Sequence, residues 1–256
     1  MLSNIIEIII LSIVQGISEF LPISSSAHLN IVEIIFQFNS NSLMVDVSLH
    51  LGSLLAIIFY FRKELLDLKN NQRLLSLLII GSIPIVITGY IISTTGLINL
   101  LENNLKIIAW TTLIFGIVLY IADKSKFDKK ISSDLNFKTI LYIGLFQILS
   151  LIPGVSRAGI TITAARFFKF NRFDSSKISF LLAIPAITGA SVFQLKNALV
   201  ESFEINYLII ISIILSFLFS YYTVKYFLEY INKFSLNVFV IYRVIISIIL
   251  FIIIYN

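Results

Sequence analysis

Residues 15–28 read Gln-Gly-Ile-Ser-Glu-Phe-Leu-Pro-Ile-Ser-Ser-Ser-Ala-His. The stretch lies inside an apolar segment, 5–38, and splits it in two. Gln15 and Glu19 are four apart and share one helix face. Pro22 ends that helix, because the residue before a proline avoids the helical region. Ser24, Ser25 and Ser26 can cap the next helix, whose free N–H groups attract an anion. His28 follows Ser25 by three residues, on the first turn above it. A carboxylate, three hydroxyls and an imidazole therefore fall at one helix break. An ionisable group at membrane depth is costly and functional by default, which singles out Glu19.

A second apolar segment, 139–168, is split by Pro-Gly-Val-Ser-Arg-Ala-Gly-Ile-Thr at 153–161. Gly154 permits a tight turn. Ser156 is placed to cap the following helix, and Arg157 and Thr161 share one of its faces. Arg157 is nine residues from Arg166, the start of the basic flank, and so lies deep. A deep guanidinium at a helix N-terminus can fork onto two phosphate oxygens. The plainer alternative is a structural ion pair with Glu19, and a ligand bridging the two would reconcile both.

The surroundings of the breaks set the fold class. Of 256 residues, 58% are apolar and 13% charged, with a mean hydropathy of +0.97. A soluble domain carries about 25% charged residues. This composition excludes a soluble enzyme and a disordered chain. Several apolar runs reach the roughly 20 residues that cross the hydrocarbon core. Cysteine is absent, which excludes disulfides and thiolate ligands, and two histidines leave little room for a His-built metal site.

The net charge of +5 reads as topology. No Lys or Arg precedes Arg62, which argues against a secretory leader. Basic residues then cluster at Arg62–Arg73, at Lys124–Lys138, at Arg166–Lys177, and more weakly at Lys225, Lys233 and Arg243. The positive-inside rule puts these four groups in the cytoplasm, and nucleic acid is excluded as a partner. Spans are then expected at 44–61, 74–98, 106–122, 178–196, 205–224 and 238–255. An outer loop falls near Asn99–Asn104, and Asn256 lies outside. Segment 5–38 lacks basic flanks and should return to the outside; 139–168 has basic flanks and should return to the inside. Each reads as a re-entrant hairpin, with broken backbone tolerated where it is buried in protein or lines a cavity. The expectation is an all-α integral membrane protein: one transmembrane domain, 1–256, a polytopic helical bundle with two opposed re-entrant helical hairpins and inverted-topology repeats around a central site. Two ordinary proline-kinked spans are the alternative.

Other polar residues carry weaker readings. Glu7 and Glu33 are read as structural. Asp46 and His50, four apart, line the cavity or serve local structure. Asn171, Arg172 and Ser179 are assigned to the cytoplasmic end of the second hairpin. Tyr and Phe at 221–230 read as an interfacial belt.

The two break motifs resemble the two signatures of the bacterial undecaprenyl-diphosphatase, or bacitracin-resistance, family. Residues 46–56, Asp-Val-Ser-Leu-His-Leu-Gly-Ser-Leu-Leu-Ala, and 180–186, Phe-Leu-Leu-Ala-Ile-Pro-Ala, are also similar to it, in order and across essentially the whole chain. The resemblance implies an enzyme that removes one phosphate from undecaprenyl diphosphate and recycles the lipid carrier of cell-wall precursors, conferring bacitracin resistance. It implies interlocked inverted repeats in the bacterial plasma (inner) membrane, a site open to the outer, periplasmic side, contact with membrane lipids, and a divalent cation, Mg²⁺ or Ca²⁺. It leaves a homodimer open. Glu19, Ser25 and His28 fall on its functional positions in the first motif, and Ser156, Arg157 and Thr161 in the second. Gln15 stands where the family has Glu or Gln, and Ala158 departs from its usual Ser.

On this reading Glu19 holds the cation with Gln15 as a neutral ligand, since hard cations take oxygen ligands. Arg157, Thr161, Ser156, Ser24 and Ser26 bind the diphosphate. Ser25 or a water attacks, and His28 exchanges the proton. Phosphoryl transfer asks mainly for positioning and charge neutralisation. A transporter or lipid flippase remains a rival, because broken inverted hairpins are a transporter device. The acid-phosphatase-like lipid phosphatases are excluded: their pattern would need His and Asp where this chain has Thr163 and Phe167.

Overall fold

The computed structural model describes residues 2–36, 38, 43–95, 104–125, 129–201 and 207–255. The expected outer loop up to Asn103, and the placements of Lys126 and Asn256, lie outside the described residues. The described chain is all-helical. In order it forms α1 (Leu2–Ser18), α2 (Ser25–Phe36), α3 (Leu43–Tyr60), α4 (Arg62–Asp67), α5 (Gln72–Thr95) and α6 (Leu105–Asp123). It continues through α7 (Ile131–Asp134), α8 (Phe137–Gln147), a 3₁₀ turn (Ile148–Leu151), α9 (Arg157–Phe167), α10 (Arg172–Glu201), α11 (Tyr207–Ile231) and α12 (Asn237–Tyr255).

Among the described residues six helices are long and apolar enough to cross a membrane: α3, α5, α6, α10, α11 and α12. They overlap the six expected spans, with ends that differ by up to seven residues, as at Ile231 on α11 against the expected 224. Their outer faces are apolar where no protein covers them, as at Ile210, Ile214 and Leu218 on α11 and Ile241, Ile245, Ile248 and Ile252 on α12. Such faces suit lipid. The chain is thus a multi-pass membrane protein. Segments 5–38 and 139–168 are each two helices around a break.

Packing follows small residues, which let helix backbones approach where water exclusion gives no drive. On α3 and α11 Ser53 meets Ser216 at 3.0 Å and Ser220 at 2.9 Å, and Ser216 donates to the Leu49 carbonyl at 2.6 Å. On α5 and α8 Gly144 lies so close to Gly81 that a Cβ would stand 2.1 Å from its carbonyl oxygen. The main core gathers Phe20, Phe61, Phe180, Phe227 and the aliphatic residues around them, with Phe20 of the first break packed edge-on against Phe180.

Two basic residues do not lie where the charge clusters suggested. Arg166 is fully buried, 3.3 Å from Asp123, which also takes Arg172 at 2.7 Å. Arg243 is 1% exposed in the body of α12 and is no loop charge. Exposed Arg62 and Lys63 on the short α4, and Arg73 in the first turn of α5, keep the expected place at the link between spans α3 and α5. Asn171 caps α10, accepting from the Asp174 N–H at 2.8 Å, as a helix-start residue should.

Candidate active site

Helix α1 ends one residue before Glu19, whose N–H still bonds the Gln15 carbonyl at 3.0 Å. The chain turns through Pro22 and re-enters helix at Ser25. Ser24 takes a positive φ of 76°. The second break repeats the device: Gly154 has φ 86° and Ser156 φ 70°. A left-handed non-glycine residue is uncommon, and backbone strain of this kind collects at functional sites. A Cβ at Gly154 would also stand 2.2 Å from Thr111 Oγ1, so only glycine fits there.

The breaks meet. Arg157 Nη2 lies 3.2 Å from Glu19 Oε1, while its Nη1 donates to the Ser179 carbonyl at 3.3 Å. Ser156 Oγ donates to the Leu21 carbonyl at 3.4 Å and accepts from the Gly159 N–H at 3.0 Å, the expected cap. The other carboxylate oxygen, Oε2, accepts from Ser25 Oγ at 2.6 Å and from Gln15 Nε2 at 3.0 Å. Gln15 Nε2 also bonds His50 Nδ1 at 3.0 Å, which brings His50 within 3.9 Å of Glu19. Gln15, Glu19, Ser25 and Arg157 therefore converge as the sequence suggested, and His50 takes the cavity side of its two readings.

Other expected residues are placed differently. The hydroxyls of Ser24 and Ser26 face one another at 3.3 Å, and that of Ser25 is taken by Glu19, so the serines do not cap α2 through their side chains. His28 turns from Glu19 toward α12: Nδ1 bonds the Ser24 carbonyl and Nε2 the Tyr242 hydroxyl, both at 2.6 Å, with the two rings stacked. Thr161 is fully buried and donates to Ser179 Oγ at 2.6 Å. Ser179 thus sits beside the site, not at the cytoplasmic end, because Ser179 lies two turns inside α10.

Sequence reasoning missed Arg243. Its guanidinium reaches the carbonyls of Pro22 at 3.2 Å, Val155 at 3.1 Å and Gly154 at 2.9 Å, and on α6 those of Thr112 at 3.0 Å and Thr111 at 3.4 Å. One buried side chain thus ties both breaks to a membrane span. The signal was present: a lone cation inside the run 238–255 is itself an intramembrane ionisable residue.

The family model of the bacitracin resistance protein BacA matches residues 8–249. The chain belongs to this family. It is 88% identical to the undecaprenyl-diphosphatase of Pelagibacter ubique (strain HTCC1062) over the full length of both chains. It is 38% identical to that of Elusimicrobium minutum (strain Pei191), over 96% of this chain and 97% of the relative. The relative from Teredinibacter turnerae is 36% identical over 97% of this chain and 99% of its own. Both breaks fall inside the matched BacA region.

The donor set bears on a cation. Among the described residues no three His, Asp or Glu side chains cluster to hold a metal ion. Gln15 Oε1, however, is buried with no hydrogen-bond partner, beside the Glu19 carboxylate. An orphaned amide oxygen next to one carboxylate fits a hard cation that takes its remaining ligands from water and phosphate.

Proposed function

We propose that the chain hydrolyses undecaprenyl diphosphate to undecaprenyl phosphate and inorganic phosphate, returning the lipid carrier for cell-wall synthesis and conferring bacitracin resistance. The observation that carries this reading is the convergence on Glu19 of Arg157 from one break and Ser25 from the other, in a chain of the BacA family. The setting is the bacterial inner membrane, with the site open to the outer side and the prenyl chain left in lipid between the spans.

Segments 5–38 and 139–168 act as opposed re-entrant hairpins of an inverted repeat. Three features support this: α8 and α9, and likewise α2, are too short to span alone; each break holds a positive-φ serine; and Gln15 and Gln147, both fully buried, precede Pro22 and Pro153 by seven and six residues. Helix α6 meets the second break near its own middle, at Thr111 and Thr112, as expected for broken backbone at membrane depth.

Ser25 is the nucleophile. Its O–H already points at Glu19 Oε2, which takes the proton as Oγ bonds to the terminal phosphorus. The bridging P–O bond breaks and undecaprenyl phosphate leaves. Water then cleaves the phosphoserine, releases inorganic phosphate and restores the hydroxyl. Arg157 trades its Glu19 contact for phosphate oxygens, where a planar fork neutralises developing charge. His28 has Nδ1–H on the Ser24 carbonyl and Nε2 on the Tyr242 hydroxyl, so a proton it exchanges passes through Nε2 along the Tyr242 contact. Ser156, through its cap and its Leu21 contact, holds the second break against the first; Ser24 and Ser26 lend hydroxyls at the rim, and buried Thr161 keeps Ser179 and Arg157 in register. Gln15 and Glu19 would hold Mg²⁺ or Ca²⁺, which when bound supplies charge neutralisation on the diphosphate.

Purified protein in detergent should release phosphate equimolar with undecaprenyl phosphate, and lose this on chelation of divalent cations. Binding of the lipid without phosphate release would favour a transporter and defeat the proposal.

A further inference from the structure

We infer that His50 is a further substrate-contacting residue of this site, an Nε2–H donor to the diphosphate oxygens. The inference rests on the site reading above and extends it to a residue on a separate span, α3. It follows from how the Gln15 amide is held. Nε2 has two hydrogens, and they go to Glu19 Oε2 and His50 Nδ1, each at 3.0 Å. Turning the amide over would press its oxygen against the carboxylate oxygen, so Glu19 fixes the amide's orientation. His50 Nδ1 must then accept, and the ring proton resides on Nε2.

That proton has no acceptor among the described residues. The His50 side chain is also more open than the charged pair, 29% exposed against 12% for Arg157 and 7% for Glu19. Arg157 lies 3.2 Å from Oε1 of the carboxylate, and the His50 ring lies on the opposite side, its Nδ1 3.9 Å from Oε2. A diphosphate has two phosphoryl groups to satisfy, and Arg157 serves one end of the site. His50 supplies a donor at the other end. This donor does not compete with Arg157 for Glu19, because the nitrogen on the Glu19 side is engaged by Gln15. Its contact is made before and during transfer alike, so it serves binding more than turnover.

His50→Leu should raise KM for undecaprenyl diphosphate roughly 10- to 100-fold, the range for a lost hydrogen bond to a charged group, and leave kcat within about threefold. His50→Gln keeps an acceptor for Gln15 and a donor for phosphate, and should restore most of the affinity. A second readout needs no turnover. With divalent cations chelated, inorganic pyrophosphate should raise the thermal midpoint in detergent, and the concentration required should climb about tenfold for His50→Leu only. The same measurement without pyrophosphate reports whether each variant folds. If His50 merely anchors Gln15, the Leu effect vanishes in a Gln15→Leu background, because coupled residues are not additive. That outcome, or an unchanged KM and pyrophosphate response in His50→Leu, overturns the inference. A wild-type chain that releases no phosphate instead defeats the hydrolase reading, while the pyrophosphate response still judges His50.

Discussion

Glu19 serves four neighbours with two oxygens: Arg157 on Oε1, and Ser25, Gln15 and the nearby His50 on Oε2. Glu19→Gln keeps the shape and removes the charge. Phosphate release should fall at least about 10²-fold, the scale of a lost transition-state partner, while the thermal midpoint stays close to wild type, since a buried amide costs less than a buried charge. A near-normal rate at any Mg²⁺ concentration would remove Glu19 from the chemistry. Arg157 separates two roles. As a phosphate clamp it needs a planar fork, so Arg157→Lys should cost roughly 10²–10³ in rate with an unchanged midpoint. As a mere partner of Glu19 it would tolerate Lys, and Arg157→Ala would mainly lower the midpoint, because a stranded buried charge is destabilising. Turnover and midpoint measured together on both variants tell these apart.

At the scale of elements, each break survives because another helix answers its freed carbonyls. Arg243 on α12 does most of this, donating to Pro22, Gly154 and Val155, while Thr111 and Thr112 on α6 bond Pro153 and Gly154. Arg243→Met should therefore lower stability by at least about 3 kcal/mol, since each buried acceptor left bare costs about 1–3 kcal/mol. Arg243→Lys should not rescue it, because one ammonium cannot span five carbonyls on three segments; a normal midpoint for Lys would reduce this residue to a simple charge. Close helix contact gives a second test. Gly144→Val places a branched side chain where even a Cβ would stand 2.1 Å from the Gly81 oxygen, and folding yield in detergent should collapse. Gly89→Ala, whose nearest neighbour is 4.0 Å away, should fold normally.

At the scale of the molecule, six apolar helices and the basic clusters imply one orientation: Asn70 and Lys130 inside, Asn104 outside. The native chain lacks cysteine, so single cysteines are clean probes. Cysteine at Asn104 should react with an impermeant thiol reagent in intact cells, and cysteine at Asn70 only after lysis. The reverse pattern would invert the topology and place the site on the cytoplasmic side.

The sequence by itself determined the span count, the two break positions and the polar residues placed at them. Each rests on local physics: apolar run length against bilayer thickness, proline ending a helix, and the cost of Glu19 or Arg157 away from water. Even the Ser156 cap was legible, because a cap concerns residues three apart. Which break residues meet was decided by tertiary structure alone. Glu19 and Arg157 are 138 residues apart, and His28 and Tyr242 are 214 apart. Helical periodicity says which face a side chain occupies but not which helix stands opposite. So His28 was expected beside Ser25 and instead faces α12, Ser179 was assigned to the cytoplasmic end and instead holds Arg157 and Thr161, and Arg243, counted as a loop charge, joins both breaks. Charge clustering treats every arginine as an anchor in water; only the packed helices reveal one whose five donors are all answered by carbonyls inside the protein.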